Sequence, residues 1–272
     1  MLKIFNFILM FIFYFPFFTY GETIKTTIVC NTKIFQDKIT INGEIINKSD
    51  IAVYNVVAVI YLDEKVDKYE LGDNPPHGNL NFKTEFMASD LKPGDYTIVI
   101  RVYFEERNGA PHKVYHQSKL RYKIDNAPSK LAITVKPPHI NKRAIFQKKE
   151  SFFDVTLVNN HNDTIKPFIY FFLPDGFSLL KGIVSIELSP GKKEKIQIPL
   201  EMEFLQEDNA KYIGSLWYEH DGMHFSIPIS GEIELIEKPL YFGLYLKLSI
   251  AMIFFLFCII FASKKLFKAH FI

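Results

Sequence analysis

The sequence predicts an all-β protein, because apolar residues recur at alternate positions and no stretch keeps a helical period. The clearest alternation runs through residues 95–105. Its predicted inward positions are Tyr96, Ile98, Ile100, Val102 and Phe104. Residues 38–47 repeat the pattern and place Ile39, Ile41 and Ile45 on one face. Turns rich in Asn, Asp, Pro and Gly separate these segments, as is typical of a β-sandwich.

The first predicted domain covers residues 22–126. Its strand at 38–47 ends at a polar turn, and residues 51–62, apolar on both faces, predict a central strand. Residues 63–79 predict one long irregular insertion with several carboxylates. Because these carboxylates lack EF-hand spacing, we expect a mobile surface loop and not a Ca²⁺ site.

A hairpin is predicted around Asn108-Gly109. A two-residue turn would pair inward Phe104 with outward Lys113, which the pleat forbids, so we expect a three- or five-residue loop with Gly109 left-handed. Tyr96 begins the first strand of this hairpin. We expect its ring to be buried at the strand corner, with the hydroxyl bonded to the backbone.

The second predicted domain covers residues 127–237 and follows a polar break at 125–129. It repeats the pattern of the first domain. Asn47 precedes Leu91-Lys-Pro-Gly by 44 positions, and Asn159 precedes Leu188-Ser-Pro-Gly by 29 positions. A duplicated sandwich with one inserted loop of about this difference explains the spacing.

Two apolar segments flank this β-rich region. Residues 1–21 carry one lysine, an apolar run and small residues before Glu22, which is typical of a secretory signal peptide. An uncleaved N-terminal anchor is the alternative. Residues 240–262 are apolar over about the ~20 residues that a transmembrane helix needs. Lys247 lies near the outer end of this segment, where its ammonium group can reach lipid headgroups.

The tail, residues 263–272, carries Lys264, Lys265 and Lys268, so the positive-inside rule places it in the cytoplasm. The sequence therefore predicts a single-pass protein of the bacterial cell membrane with a periplasmic or extracellular ectodomain. A net charge of +2 suggests no nucleic-acid partner. The two cysteines, Cys30 and Cys258, fall on opposite sides of this topology, so no internal disulfide is expected, and Cys30 is predicted to be a buried free thiol.

Two segments carry a family resemblance. GEIINKSDIAVYNVVAVIYLD (residues 43–63) with LKPGDYTIVIRV (91–102) resembles the bacterial cell-adhesion-related, CARDB-like domain. FFDVTLVNNHNDTIKPFIYFFLPDGF (152–177) with LSPGKKEKIQIPL (188–200) is similar to the NPCBM-associated sandwich. Both resemblances imply an immunoglobulin-like fold, so the predicted architecture is two tandem immunoglobulin-like β-sandwich domains plus one C-terminal transmembrane helix. They imply non-catalytic spacer or interaction modules, and no functional residue carries over.

A basic strip with interspersed tyrosines is the first candidate interaction surface. Strand alternation predicts that its members share one outer face of the hairpin. They are Arg101, Tyr103, Lys113, Tyr115, Lys119, Arg121 and Lys123. The strip could bind an acidic glycan, lipid headgroups or an acidic protein. The alternative is a solvated edge whose lysines discourage pairing with other strands.

Trp217 is the second candidate. A hairpin centred on Asp221-Gly222 pairs His220 with Met223 and leaves Trp217 outward, where it could anchor an interface or stack on a sugar. An error in register, or cover by the membrane-proximal linker, is the alternative. The same hairpin puts His220 and His224 on opposite faces, so they cannot share a metal.

The remaining histidine pair, His112 and His116, shares a face that is predicted to point to the core. No catalytic, cofactor or metal motif is evident in the sequence. We therefore expect a non-enzymatic, membrane-anchored binding or scaffolding protein of the cell envelope, with a protein or glycan partner. The alternatives are an accessory subunit of a transport, secretion or polysaccharide-assembly complex, or a carbohydrate-binding module.

Overall fold

A computed structural model describes residues 24–124, 129–141, 150–202, 210–236, 250, 252 and 253. Strands make up 70% of the described residues, which confirms the all-β prediction, and one 3₁₀ turn, Ala88–Asp90, lies between two of the strands. In chain order they form β1 Thr26–Phe35, β2 Lys38–Asn47, β3 Val53–Leu62, β4 Lys65–Asn74, β5 Asn79–Met87, β6 Gly94–Glu105, β7 Pro111–Tyr122, β8 Leu131–Lys136, β9 His139–Asn141, β10 Glu150–Asn159, β11 Phe168–Phe172, β12 Phe177–Leu179, β13 Val184–Ser185, β14 Lys193–Met202, β15 Ala210–His220 and β16 Met223–Ile236.

The predicted signal peptide lies outside the described residues, as does nearly all of the predicted membrane span. Within the described part of the chain, no helix has the length and apolarity needed to cross a bilayer. The chain divides into two compact units. The first takes residues up to Val59, Lys68–Phe86 and Arg101–His116; the second takes Ile60–Asp67, Met87–Ile100 and the described residues from Gln117 onward. Because this division passes within strands, the predicted domain boundary at 126/127 stays a prediction.

The first unit contains a sheet of order β1-β2-β5. β1 and β2 pair antiparallel from Thr26 opposite Asn47 to Phe35 opposite Lys38. Ile39, Ile41 and Ile45 on β2 are fully buried, as the alternation predicted. Cys30 on β1 is half-buried and not buried as predicted, and its Sγ lies 3.9 Å from Thr32 Oγ1.

The insertion predicted at 63–79 is not a long loop. Most of it is β4, which follows β3 through a two-residue turn at Asp63 and Glu64 and pairs beside it. Asp63 adopts a left-handed φ of 47°, so the turn needs no glycine. Along β4, half-buried and exposed positions alternate, but many of them are charged. A strand with this composition at a sheet edge leaves no hydrophobic signal in the sequence.

The prediction for the β6–β7 hairpin is confirmed in its loop length. Five residues, 106–110, connect the strands, and Gly109 has φ +81°. The Glu106 N–H donates to the Ala110 carbonyl (2.9 Å), and the Ala110 N–H donates to Asn108 Oδ1 (2.8 Å). These bonds close the loop within the first unit.

A buried asparagine organises one turn of the first unit. Asn47 is fully buried, and its Nδ2 donates to the carbonyls of Ile51 (2.8 Å) and Asn74 (3.3 Å). Its Oδ1 accepts the Ser49 N–H at 3.0 Å, and its own N–H donates to the Gly78 carbonyl at 2.9 Å. The side chain thus satisfies backbone groups of two separate segments.

Asn159 does the same in the second unit. It is also fully buried, and its Nδ2 donates to the carbonyls of Asp163 and Leu188, both at 2.9 Å. Its Oδ1 accepts the His161 N–H at 2.9 Å, and its N–H donates to the Lys192 carbonyl at 3.0 Å. The offsets of two and four residues are those of the Asn47 turn.

These bonds support a repeat but correct the proposed alignment. The counterpart of Leu188–Lys192 is the turn at 74–78, and not Leu91-Lys-Pro-Gly. His77 and Gly191 hold matching left-handed φ values of 56° and 65°. Asn47 to Asn74 spans 27 positions and Asn159 to Leu188 spans 29, so no long insertion is needed.

The second unit contains a sheet of order β12-β14-β10-β8. Its other sheet has the order β13-β11-β15-β16-β6-β3-β4, to which the last three strands contribute residues 94–100, 60–62 and 65–67. Phe153, Val155 and Leu157 of β10 are fully buried, and the Phe153 ring stacks on Phe171 with centroids 4.3 Å apart. The predicted β15–β16 register is confirmed, with His220 opposite Met223.

Candidate functional site

A buried polar cluster lies in the second unit where the start of β6 meets β16. His224 Nε2 lies 2.8 Å from Asp63 Oδ2, and the two side chains are 7% and 4% exposed. Ser226 Oγ donates to Asp63 Oδ1 at 3.1 Å. We call Asp63, His224 and Ser226, with the hydroxyl partners Thr97 and Ser215, the Asp63 cluster.

The hydroxyl groups complete the Asp63 cluster. Ser226 Oγ lies 2.6 Å from Thr97 Oγ1 and 2.9 Å from Ser215 Oγ. Because the Ser226 proton goes to Asp63, its two lone pairs accept hydrogen bonds from Thr97 and Ser215. All five residues are buried, so each bond replaces one to water.

The backbone holds β6 and β16 close together beside the cluster. Gly94 lies opposite His224 in parallel register, and a Cβ at Gly94 would fall 1.9 Å from the His224 carbonyl oxygen. The His224 N–H donates to the Pro93 carbonyl at 2.9 Å. Only glycine permits this close approach of the two backbones. The approach fixes the position of the His224 backbone, and therefore the place from which its imidazole reaches Asp63.

Aromatic rings cover the imidazole. Tyr96 stacks on His224 with centroids 4.1 Å apart and an interplanar angle of 3°. Its hydroxyl donates to the Lys92 carbonyl at 2.8 Å, and the residue is 3% exposed, which confirms the predicted corner tyrosine. Burial, followed by the charges of Asp63 and Glu219, raises the pKa of Tyr96 above its usual value, so the hydroxyl remains a donor.

Trp217 is not an exposed residue. The predicted alternation is right, since Leu216 and Tyr218 are fully buried on the other face of β15. However, the face that carries Trp217 is covered as well. Its ring stacks on Phe168 at 4.3 Å and on His224 at 5.6 Å, and the residue is 9% exposed. Trp217 therefore offers no exposed ring on which a sugar could stack, and the interpretation as a carbohydrate-binding residue loses its support.

The Asp63 cluster has the residue types of a nucleophilic triad but not the arrangement. Ser226 bonds to the carboxylate and not to the imidazole, so His224 is not placed to accept its proton. Ser226 is also 3% exposed, which denies a substrate access. The arrangement ties β6, β15 and β16 together through satisfied polar groups.

Three members of the predicted basic strip belong to the second unit and lie at or just after the end of β7. Lys119 and Arg121 are exposed while Leu120 and Tyr122 between and beyond them are buried, and exposed Lys123 follows the strand. Arg121 Nε donates to Asp95 Oδ1 at 2.9 Å, a bond that raises the pKa of the guanidinium further above its usual value.

The other members of the predicted strip belong to the first unit. Arg101, Tyr103, Lys113 and Tyr115 are half-buried. The Arg101 guanidinium carbon lies 4.3 Å from the centroid of the Tyr103 ring, a cation–π geometry. The prediction that all seven residues form one surface stays a prediction.

The histidines at 112 and 116 sit at the rim of the first unit. His112 is bonded to Glu106 at 2.8 Å and stacks on Phe104 with centroids 5.4 Å apart. His116 is half-buried, and burial lowers its pKa below the usual value. Both are half-buried, so the prediction that they point to the core is right only in part.

Comparisons with known proteins give no family. No family model matches the chain, and no curated protein matches it. Solved structures of red sea bream transglutaminase and of a Salmonella alpha-2-macroglobulin variant align with 79% and 80% of this chain at 8% identity, with TM-scores of 0.28 and 0.33. Latent PorU from Porphyromonas gingivalis aligns with 82% at 12% identity and a TM-score of 0.26.

The chain spans 31%, 16% and 21% of these three proteins, respectively. Likenesses at these scores carry no functional argument. The resemblance to CARDB-like and NPCBM-associated domains likewise stays a prediction.

Proposed function

We propose that this chain is a non-catalytic binding or scaffolding protein of the bacterial cell envelope. In this proposal residues 1–21 direct export, residues 240–262 anchor the chain as a single span, and the β-rich part lies outside the cytoplasm with the tail inside. The proposal includes two tandem immunoglobulin-like sandwiches. The matching Asn47 and Asn159 turns support it, because each ties strands of its own unit by the same set of bonds.

One observation carries the binding role: three cations at and just after the end of β7 are exposed, while the residues between them are buried. Lys119, Arg121 and Lys123 follow one another at alternate positions. Alternate residues of a strand lie ~6.8 Å apart. This is within the ~8 Å Debye length at physiological salt, so their fields add. Asp95 offsets part of the charge of Arg121, and the Lys123 ammonium lies 4.9 Å from the centroid of the Tyr122 ring, a contact that does not neutralise it. The segment therefore keeps a net positive charge for an anionic polymer or an acidic partner.

Binding to a polyanion tests the proposal. The full-length chain in nanodiscs of neutral lipid would be titrated with heparin as the probe at low and physiological salt. We expect measurable affinity that falls steeply with salt, because exposed charges are screened. Reversal of Lys119, Arg121 and Lys123 to Glu should weaken binding at least about tenfold. The melting temperature should fall only slightly, because the three residues are exposed and the loss of a surface ion pair such as Arg121–Asp95 costs little.

A matched control comes from β14 and the turn before it. Lys192, Lys193 and Lys195 are also exposed in the second unit, and their reversal to Glu changes the net charge by the same amount. If binding depends on position, this variant should keep most of the affinity. Equal loss in both variants, or no loss in the β7 variant, would contradict a role for the β7 cations.

A further inference from the structure

Two turns of the second unit converge beside the β15–β16 hairpin. Asp221 and Gly222 form the hairpin turn with φ values of 51° and 72°. The other turn follows β10, where buried Asn159 holds the Asp163 carbonyl at 2.9 Å. Both turns are fixed by the fold, so the side chains that they carry are attached to ordered backbone.

Three metal-binding side chains meet at this place. One ligand atom from each of Asp163, His220 and Asp221 lies within 4.8 Å of the other two. His220 Nε2 is 3.0 Å from Asp221 Oδ2, and these side chains are 14% and 71% exposed. The His220 imidazole thus forms the floor of a partly open site, and the exposed carboxylates of Asp163 and Asp221 form its rim. We call this site the cup.

The surroundings of the cup favour a cation. The His161 ring lies behind it, with its centroid 4.2 Å from that of His220. His161 Nε2 lies 3.0 Å from the Tyr218 hydroxyl, which holds the ring in place. Lys130 opposes a bound cation, and the two rim carboxylates outnumber it.

We propose that Asp163, His220 and Asp221 bind one divalent transition-metal ion of the zinc class. Zinc bonds of ~2.0–2.2 Å to nitrogen and oxygen place the ligand atoms ~3.4 Å apart in a tetrahedron. Rotation of the exposed carboxylates can bring the present separations to that value, since they are 3.0 Å between His220 and Asp221 and at most 4.8 Å within the group. An imidazole with two carboxylates suits zinc better than Ca²⁺, which takes six to eight oxygens. Water, or a donor from a partner, fills the remaining position.

Isothermal titration of the full-length chain in detergent with ZnCl₂ tests this proposal, after a chelator has removed adventitious metal. We expect one site per chain that Asp163→Asn and Asp221→Asn each weaken at least about tenfold. Asparagine keeps the shape of aspartate and tolerates the left-handed backbone at 221, so both variants should fold. Zn²⁺ should also raise the wild-type melting temperature more than that of either variant.

Asp50→Asn is the matched control, because the exposed Asp50–His77 pair in the first unit has a similar 2.9 Å contact, and no third metal-binding side chain among the described residues joins it. This variant should bind Zn²⁺ like the wild type. Three results would overturn the proposal: no wild-type binding below about 1 mM Zn²⁺, wild-type affinity in Asp163→Asn, or tighter binding of Ca²⁺ than of Zn²⁺. The last result would exclude a role for the imidazole.

Discussion

Two groups of aspartate and histidine each include a histidine of the β15–β16 hairpin, and they differ in their exposure to solvent. His224 is 5% exposed and is enclosed by Asp63, Ser226 and two rings. His220, at the end of β15, lies beside Asp221 and Asp163 at the surface. His224 shares the face of Trp217, where aromatic rings cover it. His220 shares the face of the fully buried Leu216 and Tyr218, and it is partly open to solvent because it ends β15.

The difference shows that residue type does not determine role. In the Asp63 cluster both carboxylate oxygens of Asp63 and the hydroxyl of Ser226 are already bonded to other side chains, so they are not available to a ligand. At the Asp163–His220–Asp221 group, water can still compete for the carboxylates, and the ligand atoms have free capacity. Aspartate and histidine therefore stabilise the fold where they are buried, in the Asp63 cluster, and form a candidate binding site where they are exposed, at Asp163, His220 and Asp221.

Removal of Tyr96 should give the largest effect. The ring is buried and covers His224, so Tyr96→Ala should lower the free energy of unfolding by about 3–5 kcal/mol. Tyr96→Phe should cost only about 1 kcal/mol, because it loses one hydrogen bond to Lys92. Urea unfolding followed by the fluorescence of Trp217, the single tryptophan, measures both. A loss below about 1 kcal/mol in Tyr96→Ala would contradict the packing described.

Removal of one carboxylate from each group tests the comparison directly. Asp63→Ala leaves His224 and Ser226 buried without their acceptor and should cost about 3 kcal/mol. Asp163→Ala removes an exposed side chain and should change stability by less than about 0.5 kcal/mol. The same fluorescence titration compares them. If the two changes cost equal amounts, burial does not distinguish the groups.

Local patterns predicted much of the fold. The alternation in β2 and β6 identified the buried positions, and the Asp221-Gly222 turn fixed the hairpin register. These features depend on residues that are near one another in sequence. The corner role of Tyr96 was predictable for the same reason, since its hydroxyl reaches a carbonyl only four residues away.

The Asp63 cluster could not be predicted, because its members are far apart in the chain. Asp63 and His224 are separated by 161 residues, and no local pattern pairs them. The burial of Trp217 depends on β11, where Phe168 lies opposite it in the sheet. Alternation gives the face of a side chain, but only the tertiary structure shows what covers that face.

The two buried asparagines extend the comparison to the turns that support each unit. Asn47→Ala and Asn159→Ala should each cost about 2 kcal/mol, because each leaves buried carbonyls without a donor. Asn108→Ala, at an exposed loop, should cost much less. Hydrogen–deuterium exchange of the peptides around each turn locates the effect. Faster exchange at only one of the two turns would show that they are not equivalent.

The smallest expected effect is a pH dependence from His161, which packs against His220 and Tyr218 of β15. Burial is the main cause of its lowered pKa, with His220 and Lys130 acting in the same direction and the carboxylates of Asp221 and Asp163 in the opposite one. The unfolded chain takes up this proton near pH ~6.5. The folded protein takes it up only at lower pH, so the unfolded state binds more protons in that window.

Stability from His161 is therefore fully present above pH ~6.5 and declines as the pH falls through that value. His161→Gln removes the titrating group. Between pH 7.5 and 5.5, the wild type should lose more unfolding free energy than this variant, as measured by Trp217 fluorescence in urea. Equal losses in both proteins would mean that His161 takes up its proton at the same pH in the folded and unfolded chain. In that case burial would not change the proton affinity of the His161 ring.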